Sequence, residues 1–162
     1  MNITLSHEID IDASPEAVWD VLADTKAYPD WNPFVRELTG ELREGGKLEA
    51  RITPPGGRSM TFKPVVLAAE PGRQLRWLGR LLAPGVFDGE HSFSLEPLEG
   101  GRTRFVQAER FSGILVRILR TSLGKTQLGF EQMNEALKRR VETRAAAGPR
   151  PVSSRPDRIP TG

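Results

Sequence analysis

Three polar side chains on an otherwise apolar strand face hold most of the chemistry this sequence offers: His91, Gln107 and Glu109. In segment 86–95 the odd positions are Phe87, Gly89, His91, Phe93 and Leu95, while the even ones carry Asp88, Glu90, Ser92 and Ser94. In segment 102–111 the odd positions are Thr103, Phe105, Gln107, Glu109 and Phe111, against Arg102, Arg104 and Arg110. Alternation of period two assigns the odd set to the buried face of each strand. The turn PLEGG at 97–101 folds the two strands into a hairpin. Same-face pairing requires an even sum of residue numbers, so His91 lies opposite Gln107 or Glu109 and all three are neighbours. Histidine titrates near neutrality and a carboxylate selects its tautomer, so His91 and Glu109 read as a catalytic acid/base pair. They read equally as a buried polar pair satisfying each other, since a buried carboxylate is costly without a partner, or as an anchor for a ligand. His7 is the only other histidine and shares the inward set of its strand. A His7–His91–Glu109 metal set is thin on ligands, and neither a metal nor another cofactor is expected.

The elements that position this trio follow from pattern. Residues 2–12 alternate, with Ile3, Leu5, His7, Ile9 and Ile11 on one side. Ser14-Pro15-Glu16 opens a helix, with a capping hydroxyl, a proline in the first turn and an acidic residue near the positive end of the dipole. Val18, Val21 and Leu22 form its apolar stripe. AYPDWNPF at 27–34 predicts a second short helix or a structured loop. Strands follow at 35–39, 47–53, 58–69, 73–82, 86–95 and 102–111, separated by turns rich in Gly and Pro. Short turns between successive strands require antiparallel pairing. In 73–82 the inward set is Leu75, Trp77, Gly79 and Leu81. A long helical stretch then runs from beyond Gly113 to about 144. Its stripe is Leu119, Leu123, Thr126, Phe130, Met133, Leu137 and Val141, and Gly124 and Gly129 weaken it or let it approach something closely. Residues 1–145 make one domain, and the Pro-, Arg- and Ser-rich segment 146–162 reads as a disordered tail.

Charge and composition exclude several classes. The sequence pI near 9.3 invites a nucleic-acid reading. Yet residues 148–162 carry the whole net charge of +2, and the remainder holds 20 basic and 20 acidic groups. No nucleic-acid partner is expected. No cysteine is present, which removes disulfides, thiolate metal sites and cysteine nucleophiles. No apolar run approaches the ~18 residues of a membrane span, so stable membrane insertion is not expected. The opening MNITLSHEID lacks a basic start and an apolar stretch, and a cytoplasmic location is the expectation. Phosphate-binding glycine loops and a Gly-x-Ser-x-Gly elbow are absent from the sequence.

One opening strand, two short helices, six further strands and a long final helix form an α+β pattern. The chain resembles the START/birch-pollen-allergen/polyketide-cyclase superfamily. The resemblance rests on IDASPEAVWDVLAD (11–24), YPDWNPFV (28–35), GVFDGEHSFSLEPLEGGRTRF (85–105) and GFEQMNEALKRRVE (129–142). It implies a helix-grip fold: a seven-stranded curved antiparallel sheet wrapped around the C-terminal helix, with two short helices between strands 1 and 2. It further implies a cavity between sheet and helix, the place where such folds take small apolar molecules. The superfamily also includes the catalytic domain of Rieske oxygenases, whose two-histidine iron site has no counterpart here.

The expected function is therefore binding of a small hydrophobic, lipid-like or aromatic molecule for transport, sequestration or sensing, by a monomer or homodimer. A polyketide cyclase- or dehydratase-like enzyme using His91 and Glu109 is the rival, and an assembly factor or chaperone partner the third reading. Candidate ligand contacts are Trp31, Trp77, Phe87, His91, Phe93, Phe105, Gln107, Glu109, Phe130 and Asn134. The apolar turn 81–86 and the segment 111–120 are expected at the cavity lip or on a contact surface.

Overall fold

The computed structural model describes residues 2–81, 83–118 and 123–148. Residues 149–162 of the expected tail, Leu82 of the apolar turn and Leu119 of the helix stripe lie outside the described residues, and Ala146, read as the first tail residue, ends the final helix. Eight strands and three helices run in the order β1 (Asn2–Ile11), α1 (Pro15–Ala23), α2 (Tyr28–Trp31), β2 (Val35–Gly40), β3 (Leu48–Ile52), β4 (Met60–Phe62), β5 (Val65–Glu70), β6 (Gln74–Leu81), β7 (Phe87–Leu98), β8 (Arg102–Ser112) and α3 (Leu123–Ala146). A five-stranded antiparallel sheet has the order β1-β8-β7-β6-β5, and a three-stranded one the order β2-β3-β4.

The expected single seven-stranded sheet is corrected by one residue. The segment read as one strand over 58–69 is two, because Pro64 lacks an N–H and the chain changes partner there. Met60–Phe62 pairs with β3, and Val65–Glu70 pairs with β6. The sheets remain stitched together where β3 and β5 begin. Leu48 N donates to Pro64 O (2.9 Å), Val66 N to Gly46 O (2.8 Å) and Gly45 N to Val66 O (2.9 Å). The helical stretch expected from Gly113 is also corrected: residues 113–118 form a turn, and the helix is described from Leu123.

Local chemistry explains the frame. Ser14 caps α1 through its hydroxyl, which accepts from Ala17 N at 3.2 Å, and Val18, Val21 and Leu22 are buried. The buried Tyr28 hydroxyl donates to Leu22 O at 2.7 Å, and burial pushes the phenol up from its ordinary range. Asn32 Oδ1 accepts from both Phe34 N (3.0 Å) and Val35 N (2.9 Å). The aromatic-proline segment thus ties the end of α1 to the start of β2 and sets the position of Phe34.

Helix α3 buries Phe130, Met133, Leu137 and Val141 against the curved sheet. Its polar side chains bind the backbone of edge strand β1. Gln127 donates to Ser6 O (3.1 Å), Asn134 to His7 O (3.2 Å) and Lys138 to Asp10 O (2.7 Å), and Glu142 accepts from Asp12 N (2.9 Å). These contacts protect a strand edge that would otherwise present unpaired groups. The Lys138 ammonium and the Asp12 amide together hold the Glu142 carboxyl below its ordinary range. The Arg104 guanidinium does the same for Asp10.

Candidate functional site

The β6–β7–β8 region runs without a bulge between β7 and β8. His91 therefore pairs with Glu109 across one interface and with Trp77 across the other, and Gln107 pairs with Phe93. The odd-numbered residues face inward on all three strands, as alternation predicts. His91 is 2% exposed. Its ring stacks on Trp77 (centroids 5.0 Å apart, planes 10° apart) and meets the edges or faces of Phe93 (4.7 Å) and Phe130 (5.4 Å) at steep angles.

The tautomer follows from the orientation of the Gln107 amide, since its Oε1, which has no partner as placed, would accept from the ring if the amide were turned over. As oriented, Gln107 Nε2 lies 3.2 Å from His91 Nε2 and can only donate. In this arrangement His91 Nε2 is the acceptor and the ring proton sits on Nδ1. From there it points to Glu109 Oε2, a long contact at 3.4 Å. The order Gln107→His91→Glu109 aims the Nδ1–H of the imidazole at a carboxyl group whose side chain is 16% exposed.

A cavity of about 540 Å³ opens beside this relay. Phe34, Ile52, Phe62 and Phe111 form apolar walls, Leu123 and Thr126 of α3 close one side, and among the described residues Glu109 is its only carboxylate. Two glycines make the space. Gly79 and Gly89 pair across β6 and β7, both on the inward face, and both border the cavity. Where every neighbouring inward position is filled by a side chain, these two leave a gap. Gly89 also makes room for Glu109: a Cβ on residue 89 would lie 2.7 Å from Oε1.

Of the ten expected ligand contacts, the structure places Trp77, Phe87 and Glu109 on the cavity wall. His91 and Gln107 lie directly behind Glu109. Phe93, Phe105 and Phe130 are fully buried in the main core, and Asn134 is buried with its amide on β1. Trp31 packs edge-on against Tyr28 (5.3 Å) away from the cavity. His7 borders a separate surface groove with Glu131, Glu135 and Arg139. Among the described residues no three His, Asp or Glu side chains cluster as a metal site. The wall residues that pattern reading passed over are Phe34, the glycine pair and the contributions of β3 and β4. Alternation in LEARI (48–52) was the available signal for Ala50 and Ile52.

The mouth of the cavity carries exposed apolar residues, Met60 and Leu81. The turn 81–86 packs beside the segment after β8, through Ile114 N to Gly85 O (3.2 Å) and Leu115 N to Val86 O (3.0 Å). Among the described residues no helix is long and apolar enough to cross a membrane.

A wedge between a curved antiparallel sheet and a C-terminal helix agrees with the family match, which spans residues 2–142 and is described as polyketide cyclase / dehydrase and lipid transport. The chain belongs to this family. Solved structures share the fold. The Zhui aromatase/cyclase of Streptomyces sp. R1128 is 19% identical with a TM-score of 0.75, over 91% of this chain and 99% of that one. A START superfamily protein of Mycobacterium smegmatis is 22% identical with a TM-score of 0.66, over 86% and 97%. A norcoclaurine synthase point mutant of Thalictrum flavum, in complex with a transition-state analogue, is 15% identical with a TM-score of 0.69, over 90% and 97%. No curated protein is significantly similar to the chain in sequence. At these identities the likeness shows a shared architecture alone, and function resides in each cavity lining.

Proposed function

We propose that this family member binds a small, largely apolar molecule in the cavity between β3, β4, β6–β8 and the start of α3. The observation that carries the reading is the cavity itself: about 540 Å³, walled by aromatic and aliphatic side chains, with a single carboxylate among the described residues. That volume falls in the range of small-molecule sites, which are mostly apolar with a few placed polar groups. Carriage, sequestration or sensing needs no more than this. The family's description includes lipid transport, and the reading is compatible with it.

The Gln107–His91–Glu109 order favours a second reading, a cyclase- or dehydratase-like enzyme. Glu109 would accept a proton from a bound substrate, and His91 would hold that carboxylate in place.

Native mass spectrometry of the purified chain tests the first reading. A bound mass that is lost on denaturation is expected. A chain that carries none, and takes up neither 2-naphthol nor 2-methylnaphthalene at millimolar concentration, contradicts it. His91→Gln separates the two readings: a carrier changes affinity by no more than a few-fold, whereas an enzyme loses turnover and keeps binding.

A further inference from the structure

We infer that the molecule this cavity accepts ends in a hydrogen-bond donor, a hydroxyl or a protonated amine, and that the donor seats on Oε1 of Glu109. The inference rests on the cavity being a ligand site, and it selects among ligands of similar size. Among the described residues Glu109 is the only acidic residue on the cavity wall. Its Oε2 takes the His91 Nδ1 proton, while among the described residues no donor reaches Oε1. That oxygen faces the space left by Gly89, where a Cβ would lie 2.7 Å away. Among the described residues Arg80 is the only cation on the wall, and its Nε is turned to Asp88 Oδ1 at 3.7 Å. Asp88 is itself fastened to the 81–86 turn through Gly85 N at 3.1 Å.

Three ligand ends then behave differently. A hydrocarbon end covers Oε1 and strips it of water with nothing in return, a loss that burial makes severe. A carboxylate end sets like charge beside Glu109 in an apolar cleft. A hydroxyl or ammonium donates to Oε1 in a charge-assisted hydrogen bond. The upstream order matters as well. His91 donates from Nδ1 because Gln107 donates to Nε2, so the trio holds Glu109 as an acceptor and offers the ligand no donor.

The test is equilibrium dialysis of the full chain at neutral pH against three naphthalenes of matched shape: 2-naphthol, 2-methylnaphthalene and 2-naphthoate. We expect 2-naphthol to bind about 10- to 100-fold tighter than 2-methylnaphthalene, the range of a hydrogen bond to a charged group, and 2-naphthoate to bind weakest. In Glu109→Leu the naphthol preference falls to about one, and the naphthoate penalty is relieved. Gly89→Ala is the second variant. It retains the carboxylate but forces Oε1, the end of a flexible side chain, out of its place, so the preference shrinks although the charge remains. Equal wild-type affinity for naphthol and methylnaphthalene overturns the inference and leaves the apolar-ligand reading standing. Tightest binding of naphthoate also overturns it. Failure of all three to bind overturns both.

Discussion

Gly79→Trp is expected to weaken ligand binding by roughly two orders of magnitude while leaving the protein folded. Gly79 sits in β6 on the inward face, opposite Gly89, and borders the cavity. A Cβ added there meets Gly89 O at 3.9 Å and Pro64 Cβ at 4.0 Å, which is ordinary contact. The backbone therefore accepts a side chain, and everything beyond Cβ extends into the cavity. An indole in a strand is favourable, and replacing glycine removes a conformational penalty of the unfolded chain. Stability should hold or rise. If the indole displaces on the order of 100 Å² of ligand contact, the loss is about 2.5 kcal/mol at ~25 cal/mol per Å². Affinity for 2-methylnaphthalene then falls by roughly two orders of magnitude. Thermal unfolding checks the fold and equilibrium dialysis the binding. Unchanged affinity in a folded variant means the ligand sits elsewhere.

Gly129→Val should destabilise α3, whereas Gly124→Ala should be mildly stabilising. Both glycines weaken the helix by propensity, so the helix alone predicts gains of up to about 1 kcal/mol at either site. The surroundings differ. Nothing lies within 4 Å of a Cβ at 124, but a Cβ at 129 falls 2.3 Å from Phe34 Cδ2 and 2.5 Å from Cε2. Phe34 is 2% exposed, its backbone is held by Asn32, and its ring meets Phe130 edge-on at 5.6 Å. Either α3 lifts from the sheet or the ring swings into the cavity, the one open side it has. Overpacking of this kind costs about 1–3 kcal/mol. Chemical denaturation should show Gly129→Val less stable by about that amount and weaker in ligand uptake. A variant as stable as Gly124→Ala would mean that the contact with Phe34 yields at no cost.

The glycines also mark where sequence reading stopped. Alternation places Phe87, His91, Phe93, Phe105, Gln107 and Glu109 on one face because period two survives through β7 and β8 with no bulge. Parity narrows the partner of His91 to two residues, and the hairpin register selects Glu109. The position of the cavity is harder to read, because it depends on what is missing from the inward set. Gly79 and Gly89 belong to that set, yet an absent side chain leaves no hydropathy signal. Phe93, Phe105 and Phe130 have the composition of a cavity wall, but α3 brings Phe130 down onto the strands that carry the other two, and all three become core. The walls from β3 and β4 required knowing that the chain changes partner at Pro64. Gly129 and Gly124 look alike in one dimension, and only the packing of Phe34 separates them.

Amide chemical-shift mapping with 2-naphthol tests the central claim most directly. A ligand in the cavity must perturb Gly79, Gly89, Leu123 and Thr126, which face it from both the sheet and the helix. The surface groove beside His7, with Leu128, Gln132, Glu135 and Arg139, should stay silent. Perturbations confined to that groove, or none at saturating ligand, would contradict the claim that this family member works through the space its paired glycines leave.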